Sequence, residues 1–156
     1  MGREIERKFL VADRPPGLDE HPHDTIEQGY VAIDGTAEVR VRRRAGACTL
    51  TVKSAPARIR VEEEFPIDPE RFESLWALAE GRRILKTRYL VPWEGVTVEV
   101  DEYRGDLDGL RTAEVEFADD ASSDAFAPPP WLGREITGDR RYANQALATR
   151  GQKPSR

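Results

Sequence analysis

The sequence predicts a mainly β, α+β domain in which about eight antiparallel strands close into a barrel with helices on its outside. Three observations carry this expectation. Most segments alternate apolar and charged residues at the period of a strand. Gly-containing turns join several of them at hairpin spacing. The charged faces also sort like with like along each strand, whereas a solvated sheet face mixes signs. Closing the sheet would set these charged walls face to face and remove its edges.

Residues 3–11 put Glu4, Glu6 and Lys8 on one face and Ile5, Phe9 and Val11 on the other. A loop with Pro15, Pro16, Gly17, His21, Pro22 and His23 leads to a strand at 25–33. Asp34-Gly35 reads as a tight type I′ turn into 37–44, where Arg40, Arg42 and Arg44 alternate with Val39 and Val41. A second turn at Ala45-Gly46 gives a strand at 48–54, with Thr49, Thr51 and Lys53 opposite Leu50 and Val52. In 58–67, Arg60, Glu62 and Glu64 oppose Ile59, Val61 and Phe65.

The period then changes. Asp68 is an N-cap and Pro69 a first-turn proline, and Phe72, Leu75, Trp76 and Ala79 recur at helical spacing to about Glu80, with Gly81 as the stop. Strands follow at 82–92, with Lys86 and Arg88 on one side, and at 96–104, with Glu99 and Asp101 opposite Val98 and Val100. The last predicted strand, 110–117, sets Glu114 and Glu116 against Val115 and Phe117. A short helix is expected after Asp120, an extended run at Pro128-Pro129-Pro130, and a final helix over 139–149. Residues 1–150 make one domain and 151–156 a polar tail.

A net charge of -5, from 29 acidic and 24 basic residues, gives no basic excess for wrapping a nucleic acid. Cys48 is the only cysteine, which excludes a disulfide framework and a thiolate cage and fits a reducing, cytoplasmic setting. The first residues lack a signal peptide's apolar run, and no stretch of about 18 apolar residues could span a bilayer.

Alternation alone would suit a sheet with one dry and one wet face. The sorting of charge asks for more. Glu4 with Glu6, Glu62 with Glu64, Glu99 with Asp101, and Glu114 with Glu116 are same-face carboxylate pairs, while Arg40, Arg42 and Arg44 form a basic row and Lys86 with Arg88 another. Converging carboxylates repel unless a cation lies between them or some take up protons. Oxygen donors without a Cys or His cluster select a hard ion, Mg²⁺ or Mn²⁺. His21 and His23 are expected in solvent. Rows of Arg and Lys supply what a phosphate chain requires.

Taken in order, EIERKFL at 4–10, QGYV, EVRVRRR, TLTVKS, VEEEF, LKTRYLVP, VEVDEYRG, AEVEF and GDRRYANQALA cover nearly the whole chain. Together they resemble the CYTH, or triphosphate tunnel metalloenzyme, superfamily, and the short chain is most similar to its small bacterial, inorganic tripolyphosphatase-like members. The resemblance implies an eight-stranded antiparallel tunnel that binds triphosphate with Mg²⁺ or Mn²⁺ and is closed at one mouth by a C-terminal helix, here Arg140 to Ala148. It also suggests a homodimer, with no role for membrane or nucleic acid. Carried over by motif, Glu4, Glu6, Asp101, Glu114 and Glu116 become metal ligands, and Lys8, Arg40, Arg42, Lys53, Lys86 and Arg88 bind triphosphate. Glu62, Glu64 and Glu99 are tunnel acids of a second tier, with ion pairing to neighbouring Arg and Lys as their alternative role. Lys86 and Tyr30 are the candidates for proton transfer, each with a plainer contact role as the alternative.

The expected reaction is hydrolysis of inorganic tripolyphosphate to pyrophosphate and phosphate. One metal would neutralise the phosphate chain and a second would position the attacking water. An adenylate cyclase, a thiamine triphosphatase and a nucleoside or RNA triphosphatase are the competing activities. A polyphosphate-binding module without catalysis is the alternative of another class.

Overall fold

A computed structural model describes residues 5–55, 61–150 and 153–154. Nine strands form one antiparallel sheet: β1 (Ile5–Val11), β2 (His23–Ile33), β3 (Ala37–Arg44), β4 (Ala47–Ser54), β5 (Glu62–Ile67), β6 (Arg83–Trp93), β7 (Val96–Tyr103), β8 (Arg111–Phe117) and β9 (Leu132–Glu135). Their order is β5-β4-β3-β2-β6-β7-β8-β1-β9. The helices are α1 (Pro69–Leu78), α2 (Asp120–Ala125) and α3 (Asn144–Arg150).

The expected eight-stranded closed barrel is therefore corrected to an open sheet of nine. Among the described residues β5 pairs only with β4 and β9 only with β1, so two edges remain. The physical reason lies in the edge strands: all of β5 from Glu62 to Pro66 is exposed and carries three consecutive glutamates, a composition that discourages further pairing.

The turns follow local chemistry. Ala45 and Gly46 have φ of 49° and 81°, and Glu94 and Gly95 have 44° and 83°, the paired positive values of a type I′ hairpin. Asp34-Gly35 departs from that expectation. Gly35 is not left-handed, and the loop is held instead by the Asp34 carboxylate, which accepts from Thr36 N (2.7 Å), Thr36 Oγ1 (2.6 Å) and Ala37 N (3.0 Å). His23 also differs: it opens β2 and does not belong to the preceding loop.

The sheet's two faces are covered differently. On one, Tyr89, Val91, Val98, Val100, Ala113, Val115 and Phe117 pack under Leu18 and Trp131. At the other end of that face α1 lays Phe72 onto Val41 and Cys48, with Leu75 and Trp76 alongside. The Asp68 carboxylate caps α1 by accepting from Arg71 N at 2.7 Å. Gly29 makes this docking possible, because a Cβ there would stand 2.7 Å from Ala79 Cβ and 3.1 Å from Trp76 Cε3. Gly29→Ala is expected to destabilise the fold by about 1–3 kcal/mol, read as a lower denaturation midpoint. Gly35→Ala, with nothing within 4 Å of its added methyl, is the control. Equal midpoints for the two variants would refute the close approach.

On the polar face an apolar plug fills one end. Ile84 and Tyr103, which share a face by period with Lys86 and Asp101, and Tyr30 pack with Leu107, Leu110, Ile136, Tyr142, Leu147 and Ala148. Leu10 of β1 and Ile33 of β2 join the same cluster, so strands four ladder steps apart meet there and the sheet is curled. The C-terminal closure is present, but the expected helix over 139–149 is broken. A 3-10 turn at Arg140–Tyr142 is followed by extended Ala143 (ψ 141°) and then α3. At the break Tyr142 O accepts Lys8 Nζ at 2.8 Å, so β1 holds the carbonyl that the interrupted helix leaves over.

Candidate active site

Strand register carries the predicted charges onto one face. Glu6 lies opposite Glu116 and Lys8 opposite Glu114. Glu114 in turn faces Glu99, and Asp101 faces Arg88. Farther along, Arg42 faces Gln28 on one side and Thr49 on the other, and Arg40 lies between Tyr30 and Thr51. Acid gathers on β1, β7 and β8, and base on β3 and β6.

The acidic end is under electrostatic load. Burial pushes the Glu6 carboxyl up to about 6, and the charges of Glu114 and Glu116 and a hydrogen bond with Glu116 add to the effect; Lys8 pulls only weakly the other way. Among the described residues no group of three or more His, Cys, Asp or Glu side chains is arranged to hold a metal ion. Glu4, expected as a ligand, and Arg60 lie outside the described residues. The donor set itself is all oxygen and mutually repelling, the chemistry that suits a hard divalent cation.

The basic end carries the mirror-image load. Burial pushes the Arg42 guanidinium down, as do the charges of Arg40, Arg88 and Arg44. Among the described residues only its Nε has a hydrogen-bond partner, Gln28 Oε1 at 2.8 Å. Among them Arg40 meets no closer carboxylate than Glu38, at 3.8 Å. Guanidinium groups with spare donors and no described carboxylate within hydrogen-bond distance are equipped to bind an anion.

Other predicted residues are already committed to protein partners. Asp101, 5% exposed, accepts from Lys86 Nζ at 2.8 Å and from Arg88 Nε and Nη2 at 2.8 and 3.0 Å. Burial alone would raise its carboxyl; Lys86 and Arg88 outweigh that and hold it down at about 2. Lys86 is pulled down to about 8 by burial, against the attraction of Asp101. Arg88 Nη1 meets Glu99 at 3.1 Å, so each of its three nitrogens faces a carboxylate. Lys8 Nζ is spent on the plug.

Of the second-tier acids, two meet cations and one a hydroxyl. Glu99 pairs with Arg88, Glu62 with Lys53 at 3.4 Å, and Glu64 accepts from Thr51 Oγ1 at 2.8 Å. Arg44 closes on Asp24 at 3.1 Å near its strand end. His21 and His23 lie apart from the carboxylates: His23 Nδ1 is 2.8 Å from His21 O, and its ring tilts against Tyr89. Two residues of this face were not singled out from sequence. Gln28, fully buried, bonds Arg42 and Tyr30; its place two residues before Tyr30 on an alternating strand was the available signal. Glu38 has a buried Oε2 without a hydrogen-bond partner; its place two residues before Arg40 on an alternating strand was the same kind of signal.

Residues 2–146 match the family described as CYTH domain. The chain is 44% identical over 149 residues to an inorganic triphosphatase of Nitrosomonas europaea, covering 93% of this chain and 96% of that protein. It is 41% identical over 151 residues to an inorganic triphosphatase of Acetivibrio thermocellus, covering 94% of each. Its fold superposes on a crystal structure of an inorganic triphosphatase with a TM-score of 0.80 at 43% identity, over 96% of both chains.

Proposed function

The chain belongs to the CYTH domain family, and from that premise we propose that it is a divalent-metal-dependent hydrolase of inorganic tripolyphosphate, releasing pyrophosphate and phosphate. One observation carries the reading: the polar face holds two like-charge groups, Glu6 with Glu114 and Glu116, and Arg42 with Arg40, each loaded by its own neighbours. A cation relieves the first and a phosphate chain the second, so a metal-chelated polyphosphate relieves both at once.

Glu6, Glu114 and Glu116 would hold the cation, Mg²⁺ or Mn²⁺, which supplies charge neutralisation and Lewis acidity to a phosphoryl oxygen. Arg42 and Arg40 bind the phosphate oxygens and stabilise charge on the departing pyrophosphate. Lys86 and Arg88, locked by Asp101 and Glu99, keep the middle of the face rigid. Apolar side chains of the plug pack beside Tyr30, and the cavity next to them is lined by Arg40, Arg140 and Arg150, which favours a substrate that is all phosphate over one with an organic group. Pairing of two chains into a homodimer and a cytoplasmic setting complete the proposal.

Phosphate release from tripolyphosphate, ATP and thiamine triphosphate, with Mg²⁺ or Mn²⁺ and then EDTA, tests it. The expected result is turnover of tripolyphosphate well above the other two, lost with EDTA. Cyclic AMP as the sole product from ATP would reverse the assignment, and binding without turnover of any substrate would make the chain a polyphosphate-binding module.

A further inference from the structure

We propose that Gln28 is a positioning residue that holds Arg42 and obliges the Tyr30 hydroxyl to donate its proton to an oxygen of the bound phosphate chain; this rests on the function proposed above. The argument is one of hydrogen-bond direction. Gln28 Oε1 accepts from Arg42 Nε at 2.8 Å, and Gln28 Nε2 donates to Tyr30 Oη at 2.9 Å. Arg42 fixes which amide atom is which, because a guanidinium N–H can only donate and must face the amide oxygen. The amide nitrogen is then left toward Tyr30 with only hydrogens to offer, so the phenol oxygen accepts. Arg40, directly across the ladder from Tyr30, is another donor-only group and cannot take the phenol's proton.

The phenol's proton has no acceptor among the described residues. Glu38 is the carboxylate whose charge reaches Tyr30, yet its Oε2 has no hydrogen-bond partner. Tyr30, Glu38 and Arg40 line a cavity of about 640 Å³ on the polar face, bounded on its far side by Arg140, Asn144 and Arg150. A buried hydroxyl that accepts from Gln28 and has its proton unused is a donor waiting for an acceptor. Phosphate oxygens accept and never donate when ionised. The chain Arg42→Gln28→Tyr30 thus leaves the hydroxyl as a donor to an anion in this cavity, beside Arg40.

The test is a double-mutant cycle on KM for tripolyphosphate. Gln28→Glu still accepts from Arg42 Nε, but its second oxygen takes the Tyr30 proton and turns the phenol away from substrate. Tyr30→Phe removes the donor while keeping the ring in the plug. Each single substitution is expected to raise KM about ten-fold, the scale of one hydrogen bond to a charged group, with a smaller change in kcat. In the Gln28→Glu background Tyr30→Phe is expected to add nothing further. Equal fold-effects of Tyr30→Phe in both backgrounds, or a wild-type KM for Tyr30→Phe alone, would overturn the proposal; the latter decides it even if Gln28→Glu does not fold. A purely structural role for Gln28 would lower the melting temperature without this coupling. Should the wild-type protein prove inactive on tripolyphosphate, the proposed function fails separately. Calorimetric affinity for tripolyphosphate in the same variants then decides the role of Gln28, and an unchanged affinity in Tyr30→Phe refutes it.

Discussion

Glu6→Gln is expected to abolish metal-dependent phosphate release while raising the melting temperature of the metal-free protein. The two effects have one origin. Glu6 stands opposite Glu116 on the β1–β8 ladder, and burial, Glu114 and Glu116 raise its carboxyl from 4.5 to about 6. A carboxyl raised on folding binds its proton more tightly in the folded state, so stability falls as the pH climbs from 4.5 through 6 and the cost is fully present at neutral pH. Glu6 is only partly withdrawn from solvent, and screening limits that cost to about 1 kcal/mol or less. Glutamine keeps the shape and removes the charge, so a gain of at most about 2–4 °C follows for a chain of this size. Activity moves the other way, because the oxygen donor set loses one anionic ligand. Glu116→Gln is expected to behave alike. Thermal scans in EDTA at neutral pH and phosphate-release rates with added Mn²⁺ measure both. Wild-type turnover in either variant would remove that glutamate from the site, and a lower melting temperature would mark it as structural.

The strands and α1 were legible in the sequence because each carries its period within a dozen residues. Arg40, Arg42 and Arg44 alternate over one hairpin arm, and Asp68, Pro69 and Phe72 announce a helix start. β9 was not legible. Leu132–Glu135 is four residues long with no alternation, and it exists as a strand because β1 offers a free edge where Phe9 pairs with Glu135. The plug escaped for a related reason. Ile84, Lys86 and Arg88 share one face by period, and only the return of the chain through Tyr142 and α3 decides that Ile84 is sealed under apolar cover. Charge was legible along strands and not across them. Glu99 with Asp101 reads as a carboxylate pair until the β6–β7 register brings Arg88 opposite Asp101. The same register turns part of an expected metal-and-phosphate set into ion pairs that neutralise each other inside the protein.

Asp101→Asn is where the two roles of that residue separate, and the expected result is a large loss of stability with the acidic end's metal response preserved. Both carboxylate oxygens are engaged: Oδ2 by Lys86 Nζ and Arg88 Nη2, Oδ1 by Arg88 Nε. The Lys86 and Asp101 side chains are 1% and 7% exposed, so water cannot replace what the substitution removes. Asparagine is isosteric, but its amide would set an NH₂ against donor-only partners, leaving Arg88 the Glu99 contact alone and Lys86 no carboxylate at contact distance among the described residues. Removing one partner from a buried pair costs about 3–5 kcal/mol, because the remaining charge stays uncompensated. Arg42 already carries the charge of Arg88, and Lys86 feels both, so the positive field at the centre of the face rises as its geometry loosens. Tripolyphosphate should then bind with altered affinity and turn over slowly, while the Mn²⁺ concentration for half-maximal activity stays near the wild-type value. Denaturation midpoints and metal titrations of activity read the two quantities apart. Unchanged stability together with a many-fold higher metal requirement would place Asp101 with Glu6, Glu114 and Glu116 as a ligand; the buried ion pairs predict the reverse.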